Sequence, residues 1–232
     1  STLHSFCLRQ LLRNSKILNQ FPKKFRIADD WEERWIIQED IKNLMGASGV
    51  KEIQDQLNLM SADWQSLTEE VRDPHFIGAW IEHKKIFRYV LRSEIVYQLK
   101  KSLDHYSDEI DLETPIRFLI VDEFQDLNKC DQAIIKAIAQ KGAKIIIAGD
   151  DDQSIYGFRK AYPSGIRNFN KEYPGSKSIE LEICYRCDSN ILNISQFVAD
   201  LDTERPKKKI KTRNKCPPGI VKLIKNRTEA DE

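Results

Sequence analysis

Two short acidic strings hold the groups from which nucleotide chemistry could be built. The first, Val121-Asp122-Glu123-Phe124-Gln125-Asp126, continues the apolar run Phe118-Leu119-Ile120-Val121. The second starts at Gly149-Asp150-Asp151-Asp152-Gln153-Ser154 and follows Ile145-Ile146-Ile147. An apolar strand ending in Asp-Glu is a Walker B arrangement. The aspartate can hold magnesium, directly or through water, and the glutamate can position or deprotonate the attacking water. Alone, the pattern is weakly specific, because many strands end in acids that merely cap the next helix.

The elements needed to position these acids are legible nearby. Asp131 to Gln140 reads as a helix with Ala133, Ile134, Ala137 and Ile138 on one face, set between the two apolar runs. Apolar strands joined by a helix predict parallel strands buried on both faces. Ligands of such sheets lie beyond the carboxyl ends of the strands, where both acid clusters fall. Adjacent acid clusters repel unless a cation or polar network separates them, a requirement that a magnesium-bound nucleotide meets. Downstream, the pattern predicts a helix around Ser164–Tyr173, a strand near Ser178–Leu181, and a helix capped by Asp188 or Ser189 and running to about Ala199. Upstream, Lys16 to Tyr106 is helix-rich. Trp31, Trp35, Ile41 and Leu44, and again Ile95, Leu99 and Leu103, sit near helical spacing and are expected in the core. Gly46–Gly49 and Asp73-Pro74 mark breaks between helices.

Composition narrows the class. The 232 residues are 41% hydrophobic and 31% charged, a globular balance. No apolar run approaches the roughly 20 residues of a membrane helix, and no signal sequence opens the chain, so no membrane partner and an intracellular location are expected. Ser1 is not an initiator methionine, and the sequence is read as part of a longer protein. The net charge of +1 does not advertise a nucleic-acid binder. Locally, however, Arg205, Lys207, Lys208, Lys209, Lys211, Arg213 and Lys215 crowd one stretch, which reads either as a solvated linker or as a phosphate-contacting strap. The five cysteines, an odd number, are expected as reduced thiols. Cys184 and Cys187 have C-x-x-C spacing but no second pair to complete a zinc site.

Four strings in order carry a family resemblance. The two acidic strings, the second running on through Ile155-Tyr156-Gly157-Phe158-Arg159, are joined by Leu181-Glu182-Ile183-Cys184-Tyr185-Arg186 and by the opening Thr2-Leu3-His4-Ser5-Phe6. They resemble motifs II, III and IV and the T-x-H-S-F motif of the UvrD/Rep/PcrA superfamily 1 DNA helicases. The resemblance implies an α/β fold: an incomplete P-loop NTPase (RecA-like) parallel-sheet core with a mostly helical insertion. Residues 1–15 would be part of the first motor domain and 16–112 the insertion. Residues 113–202 would return to the first motor domain with Walker B and motifs III and IV, and 203–232 would be a basic linker and the start of the second.

The resemblance also implies roles, with ATP and magnesium as cofactors. Asp122 would hold magnesium, and Glu123, beside it on the metal side, would serve the water. Gln153 would sense the γ-phosphate and couple it to DNA. Tyr185 would pack on the adenine and Arg186 would contact the γ-phosphate, where an arginine stabilises developing charge. On the DNA side, Thr2 and His4 would contact the single strand, Phe158 would stack on a base, and Arg159 would support that loop or contact phosphate. Tyr156 is read as core, and Asp151 and Asp152 as a solvated or capping pair.

The implied function is ATP-dependent 3'-5' translocation on single-stranded DNA and strand separation at duplex junctions, in repair or replication. The location would be the cytoplasm or nucleoid of a bacterium or archaeon, or a eukaryotic nucleus. Lys160 stands where the family usually has glycine, and Cys184 and Cys187 flank Tyr185-Arg186 in place of Asn and Ser or Thr. No G-x-x-x-x-G-K-[ST] phosphate loop occurs in the 232 residues, so no DNA-stimulated hydrolysis is expected of this chain by itself. Two other readings share the motifs: the motor portion of a helicase–nuclease subunit, and a non-catalytic DNA-binding or regulatory module lacking the phosphate loop.

Overall fold

The computed structural model describes residues 2–14, 26–70, 72–106, 112, 116–157 and 160–224. They divide into two compact units, one of residues 1–150 with 154–165, the other of 151–153 with 166–232.

In the first unit, α1 (Leu3–Arg13) starts at Thr2, whose hydroxyl accepts the Ser5 N–H at 3.3 Å. It buries Cys7, Gln10 and Leu11, one stripe at i, i+3 and i+4, and Cys7 and Leu11 share a core with Ile95, Val96, Leu99 and Leu103. A second core gathers Ile37, Ile41, Ile53, Leu57, Met60, Trp64, Phe76, Tyr89 and Leu91. Its helices are α2, a continuous run of Asp30–Glu32, a π-turn at Glu33–Ile37 and Gln38–Met45; α3 (Val50–Ser66); and α4 (Pro74–Phe87). The predicted breaks hold. Gly46 ends α2 at φ 65°, and Asp73 caps α4, accepting the His75 N–H at 2.9 Å ahead of Pro74. Strands β1 (Arg26–Ala28) and β2 (Tyr89–Leu91) pair in parallel.

One core expectation fails. Trp31 and Trp35 are 61% and 59% exposed and Leu44 is 49% exposed, while Ile37 and Ile41 are buried. The apolar positions 31 and 35 share one face and 37 and 41 another, and only the second meets the core. Ile95, Leu99 and Leu103 are buried on α5 (Ile95–His105), as their spacing predicts.

Strand β3 (Phe118–Val121) leads through a 3₁₀ turn (Phe124–Asp126) to α6 (Lys129–Gln140), then β4 (Lys144–Ile147). The strands are parallel, with Phe118 opposite Lys144 and Val121 opposite Ile147. Asn128 caps α6 reciprocally: Asn128 Oδ1 accepts the Asp131 N–H at 2.9 Å, and Asp131 Oδ2 accepts the Asn128 N–H at 3.2 Å. Ile134 and Ile138 are buried, each stabilising by about 1.5–3 kcal/mol through apolar burial. The strands are not buried on both faces. Phe118, Ile120 and Ile146 are exposed, because among the described residues only the face carrying Leu119 and Ile145 packs on a core.

The second unit contains α8 (Phe169–Glu172), following α7 (Ser164–Arg167), which crosses the division at its middle. Its parallel ladder joins β5 (Ile183–Cys184) to β6 (Lys211–Thr212), with α9 (Ser189–Ala199) between them. The strand expected near 178–181 forms at 183–184 instead, where the partner lies: the Lys211 N–H donates to Glu182 O at 2.7 Å. Backbone groups form a strand only where a ladder satisfies them.

Among the described residues, no helix is long and apolar enough to cross a membrane.

Candidate nucleotide site

The ends of β3 and β4 are tied by backbone hydrogen bonds, Ala148 N–H to Val121 O at 2.8 Å and Phe124 N–H to Ala148 O at 3.0 Å. Buried Phe124 anchors the turn that follows. Asp122 and Glu123 therefore project, exposed, from the carboxyl end of β3. Asp122 Oδ1 accepts the Glu123 N–H at 3.0 Å. Glu123 adopts φ 51°, a left-handed conformation that costs an L residue about 1–2 kcal/mol. Such strain persists only where surrounding contacts over-determine it.

Gln125 supplies those contacts. Its side chain is buried; Nε2 donates to Glu123 Oε2 at 2.7 Å, and Oε1 accepts the Asp150 N–H at 3.0 Å. Its carbonyl also accepts the Ser154 hydroxyl at 3.3 Å. One residue thus links the β3-end glutamate to Asp150 and Ser154. Burial, and then the Glu123 charge, raise the Asp126 carboxyl above the usual carboxylate range. Its buried Oδ1 has no hydrogen-bond partner among the described residues.

These donors fit a magnesium ion, which takes one or two carboxylates and fills its remaining octahedral positions with water and phosphate oxygen. Asp122 and Glu123 offer exposed carboxylate oxygens at the carboxyl end of β3.

In the second unit, Gln153 is exposed at the end of the 3₁₀ turn Asp151–Gln153. Asp151 and Asp152 before it, expected as a solvated or capping pair, are ion-paired, and neither is fully exposed. Asp151 is bound by Arg167, Nε to Oδ2 at 2.7 Å, and by Lys208; Asp152 is bound by Arg205, Nε to Oδ1 at 2.8 Å, and by Lys208 at 3.0 Å. Burial opposes the Asp152 charge, but hydrogen bonds from Arg205 and Lys208 outweigh it and hold the carboxyl below the ordinary carboxylate range. Tyr185 and Arg186 are exposed on the loop after β5. That loop is closed by the Cys187 N–H donating to Cys184 Sγ at 3.4 Å, while the Cys216 thiol donates to Cys187 O at 3.5 Å.

Thr2 and His4 lie in the first turn of α1, where the Thr2 side chain serves as cap. Desolvation, and then the Arg92 guanidinium, lower the His4 pKa, which favours the neutral imidazole. Phe158 and Arg159 fall outside the described residues. Sequence reasoning missed Gln125, although it stands within the quoted string; a glutamine two residues past Asp-Glu was its only signal. It also missed the partners of Asp151 and Asp152, which come from 16 to 57 positions downstream.

Residues 1–174 match the family model of the UvrD/REP helicase N-terminal domain, and the chain belongs to that family. The ATP-dependent DNA helicase PcrA of Staphylococcus epidermidis is 27% identical over 255 residues, an alignment covering 100% of this chain and 33% of the relative. The ATP-dependent DNA helicase PcrA of Staphylococcus aureus is 28% identical over 237 residues, covering 92% of this chain and 31% of the relative. The chain spans about a third of the length of these curated relatives. Its α/β organisation of helices and small parallel sheets is that of a UvrD-type N-terminal domain.

Proposed function

We propose that this chain is part of the motor of an ATP-dependent DNA helicase that moves 3'-5' along single-stranded DNA and separates strands at duplex junctions. The observation that carries this reading is the Gln125 bridge. It joins the glutamate of a Walker B strand end to Asp150, at the end of the neighbouring strand, and so fixes the carboxylate that would face the nucleotide.

In this reading Asp122 and Glu123 hold magnesium with bound ATP, and the ion supplies charge neutralisation on the phosphates. Glu123 orients the attacking water, Gln153 reports the γ-phosphate, Tyr185 packs on the adenine, and Arg186 stabilises the charge that develops in transfer. Thr2, His4, Phe158 and Arg159 form the DNA side. Residues 1–15 and 113–202 belong to a P-loop NTPase (RecA-like) first motor domain, 16–112 to its helical insertion, and 203–232 begin the second motor domain. The exposed β3–β4 face with Phe118, Ile120 and Ile146 suits continuation of the sheet core in the full protein.

The test is strand separation by the full protein carrying this chain, on duplexes with 3' or 5' single-stranded tails. ATP-dependent unwinding of the 3'-tailed substrate, lost in Glu123→Gln, is expected. Unwinding that needs no ATP, or only a 5' tail, sinks the proposal.

A further inference from the structure

We propose that Arg205 and Lys208 are positioning residues that fix the Asp151-Asp152-Gln153 turn and, through it, the place from which Gln153 presents its amide. The proposal rests on the γ-phosphate role of Gln153 given above.

A three-residue 3₁₀ turn has few backbone bonds of its own and poor hydrogen-bond geometry, so side-chain ties decide where it sits. Here the ties are extensive. Arg205 reaches Asp152 with its Nε at 2.8 Å and Asp200 with another guanidinium nitrogen. Lys208 reaches Asp151 and Asp152 together, and Arg167 reaches Asp151 at 2.7 Å and Asp202. These are not surface pairs of the kind that contribute little. The Arg205 side chain is 5% exposed and that of Asp151 6%. Losing Arg205 leaves Asp152 with Lys208 as its remaining cation, so a largely desolvated carboxylate is under-compensated, a cost that a shift of the turn relieves.

The segment just after the two cations, which leads into β6, is held independently. The Gln196 amide donates to Ile210 O at 2.9 Å, and the Lys211 N–H donates to Glu182 O. The cations are therefore presented from a fixed support. The basic stretch also sorts by side. Arg205 and Lys208 are half-buried, whereas Lys207, Lys209, Lys211, Arg213 and Lys215 are exposed. Cations already bound to carboxylates are not free to neutralise DNA phosphates, which separates their role from that of a phosphate strap.

The experiment uses the full protein carrying this chain, with steady-state ATP hydrolysis at saturating single-stranded DNA and DNA affinity measured against salt. Gln153→Ala and Arg205→Ala are each expected to lower kcat about 10- to 100-fold, as misplacement of a catalytic group does. Their double variant should be no worse than the lower single. The charge swap Asp152→Arg with Arg205→Asp should recover part of the loss, and the salt slope of DNA binding should be unchanged in Arg205→Ala. Should Arg205→Ala fail to fold, Arg205→Lys, which keeps the charge and loses the fork, is read by the same criteria. Wild-type kcat at position 205 beside an impaired Gln153→Ala overturns the proposal alone. Multiplying losses in the double variant, or a shallower salt slope, also overturn it. Wild-type kcat in Gln153→Ala overturns the reading of Gln153 and the proposal with it.

Discussion

The Gln125 amide holds the Glu123 carboxylate at 2.7 Å while its oxygen holds the Asp150 N–H at 3.0 Å. The two bonds use both ends of one planar amide, so the glutamate and the neighbouring strand end share a rigid spacer. Gln125→Ala removes the acceptor of the part-buried Asp150 N–H, at a cost of about 0.5–1.5 kcal/mol. In the full protein it is expected to lower ATP turnover about 10- to 100-fold by releasing Glu123. Gln125→Glu should be more damaging, because it sets a second carboxylate against the first. Steady-state hydrolysis and thermal unfolding check both, and equal turnover in all three proteins removes the spacer from the mechanism.

The cysteines divide by environment. Burial, and then the Asp131 charge, raise the thiol pKa values of both Cys7 and Cys130, that of Cys130 to about 12. At Cys184, the hydrogen bond from the Cys187 backbone comes first among the causes that lower the thiol's pKa. Since the thiolate is the reactive form, iodoacetamide at pH 8 should label Cys184 first. Cys7 and Cys130 should be labelled only after denaturation. Peptide mass spectrometry of a time course reads this directly, and early labelling of Cys7 contradicts the burial of α1.

Much of the fold was legible where local pattern and tertiary packing agree. The stripe Ile95, Leu99 and Leu103 repeats at helical spacing on one uninterrupted helix, and it is buried. The runs ending at Val121 and at Ile147 paired as parallel strands because each is short, apolar and followed by turn residues. Legibility failed where the outcome depends on distant partners. Whether 178–181 or 183–184 became the strand was set by Lys211 and Thr212, and the fate of Asp151 and Asp152 by Arg205 and Lys208. No local spacing encodes an ion pair across 53 positions. Within the site, residue types revealed the acids, but the amide that orients them is chemically ordinary and stands out only in three dimensions.

The tryptophans test the corrected core. Trp64 is 8% exposed and stacks with Tyr97 at a ring separation of 6.0 Å, whereas Trp31 and Trp35 lie open. Trp64→Ala should destabilise by about 3–5 kcal/mol through lost burial and a cavity. Trp31→Ala and Trp35→Ala should each fall within about 0.5 kcal/mol of the parent, as surface changes do. Urea unfolding measures the difference. Iodide should quench the emission of Trp31 and Trp35 and leave that of Trp64.

Asp131 gives the chain a pH dependence whose sign is fixed by its burial. Burial, opposed by the hydrogen bond from the Asn128 N–H, raises its carboxyl from 3.8 to about 6. Between those values the folded protein holds a proton that the unfolded chain has released, so this group's contribution to stability falls as pH rises through the window. The full penalty, about 3 kcal/mol, applies above pH 6 and vanishes below pH 3.8. Asp131→Asn removes the charge yet can still accept the Asn128 N–H through its amide oxygen, keeping the cap. The variant should therefore match the parent near pH 4 and become progressively more stable than it towards pH 7. Unfolding midpoints at pH 4, 5, 6 and 7 measure this; a difference that does not change with pH means Asp131 is ionised in the folded state throughout.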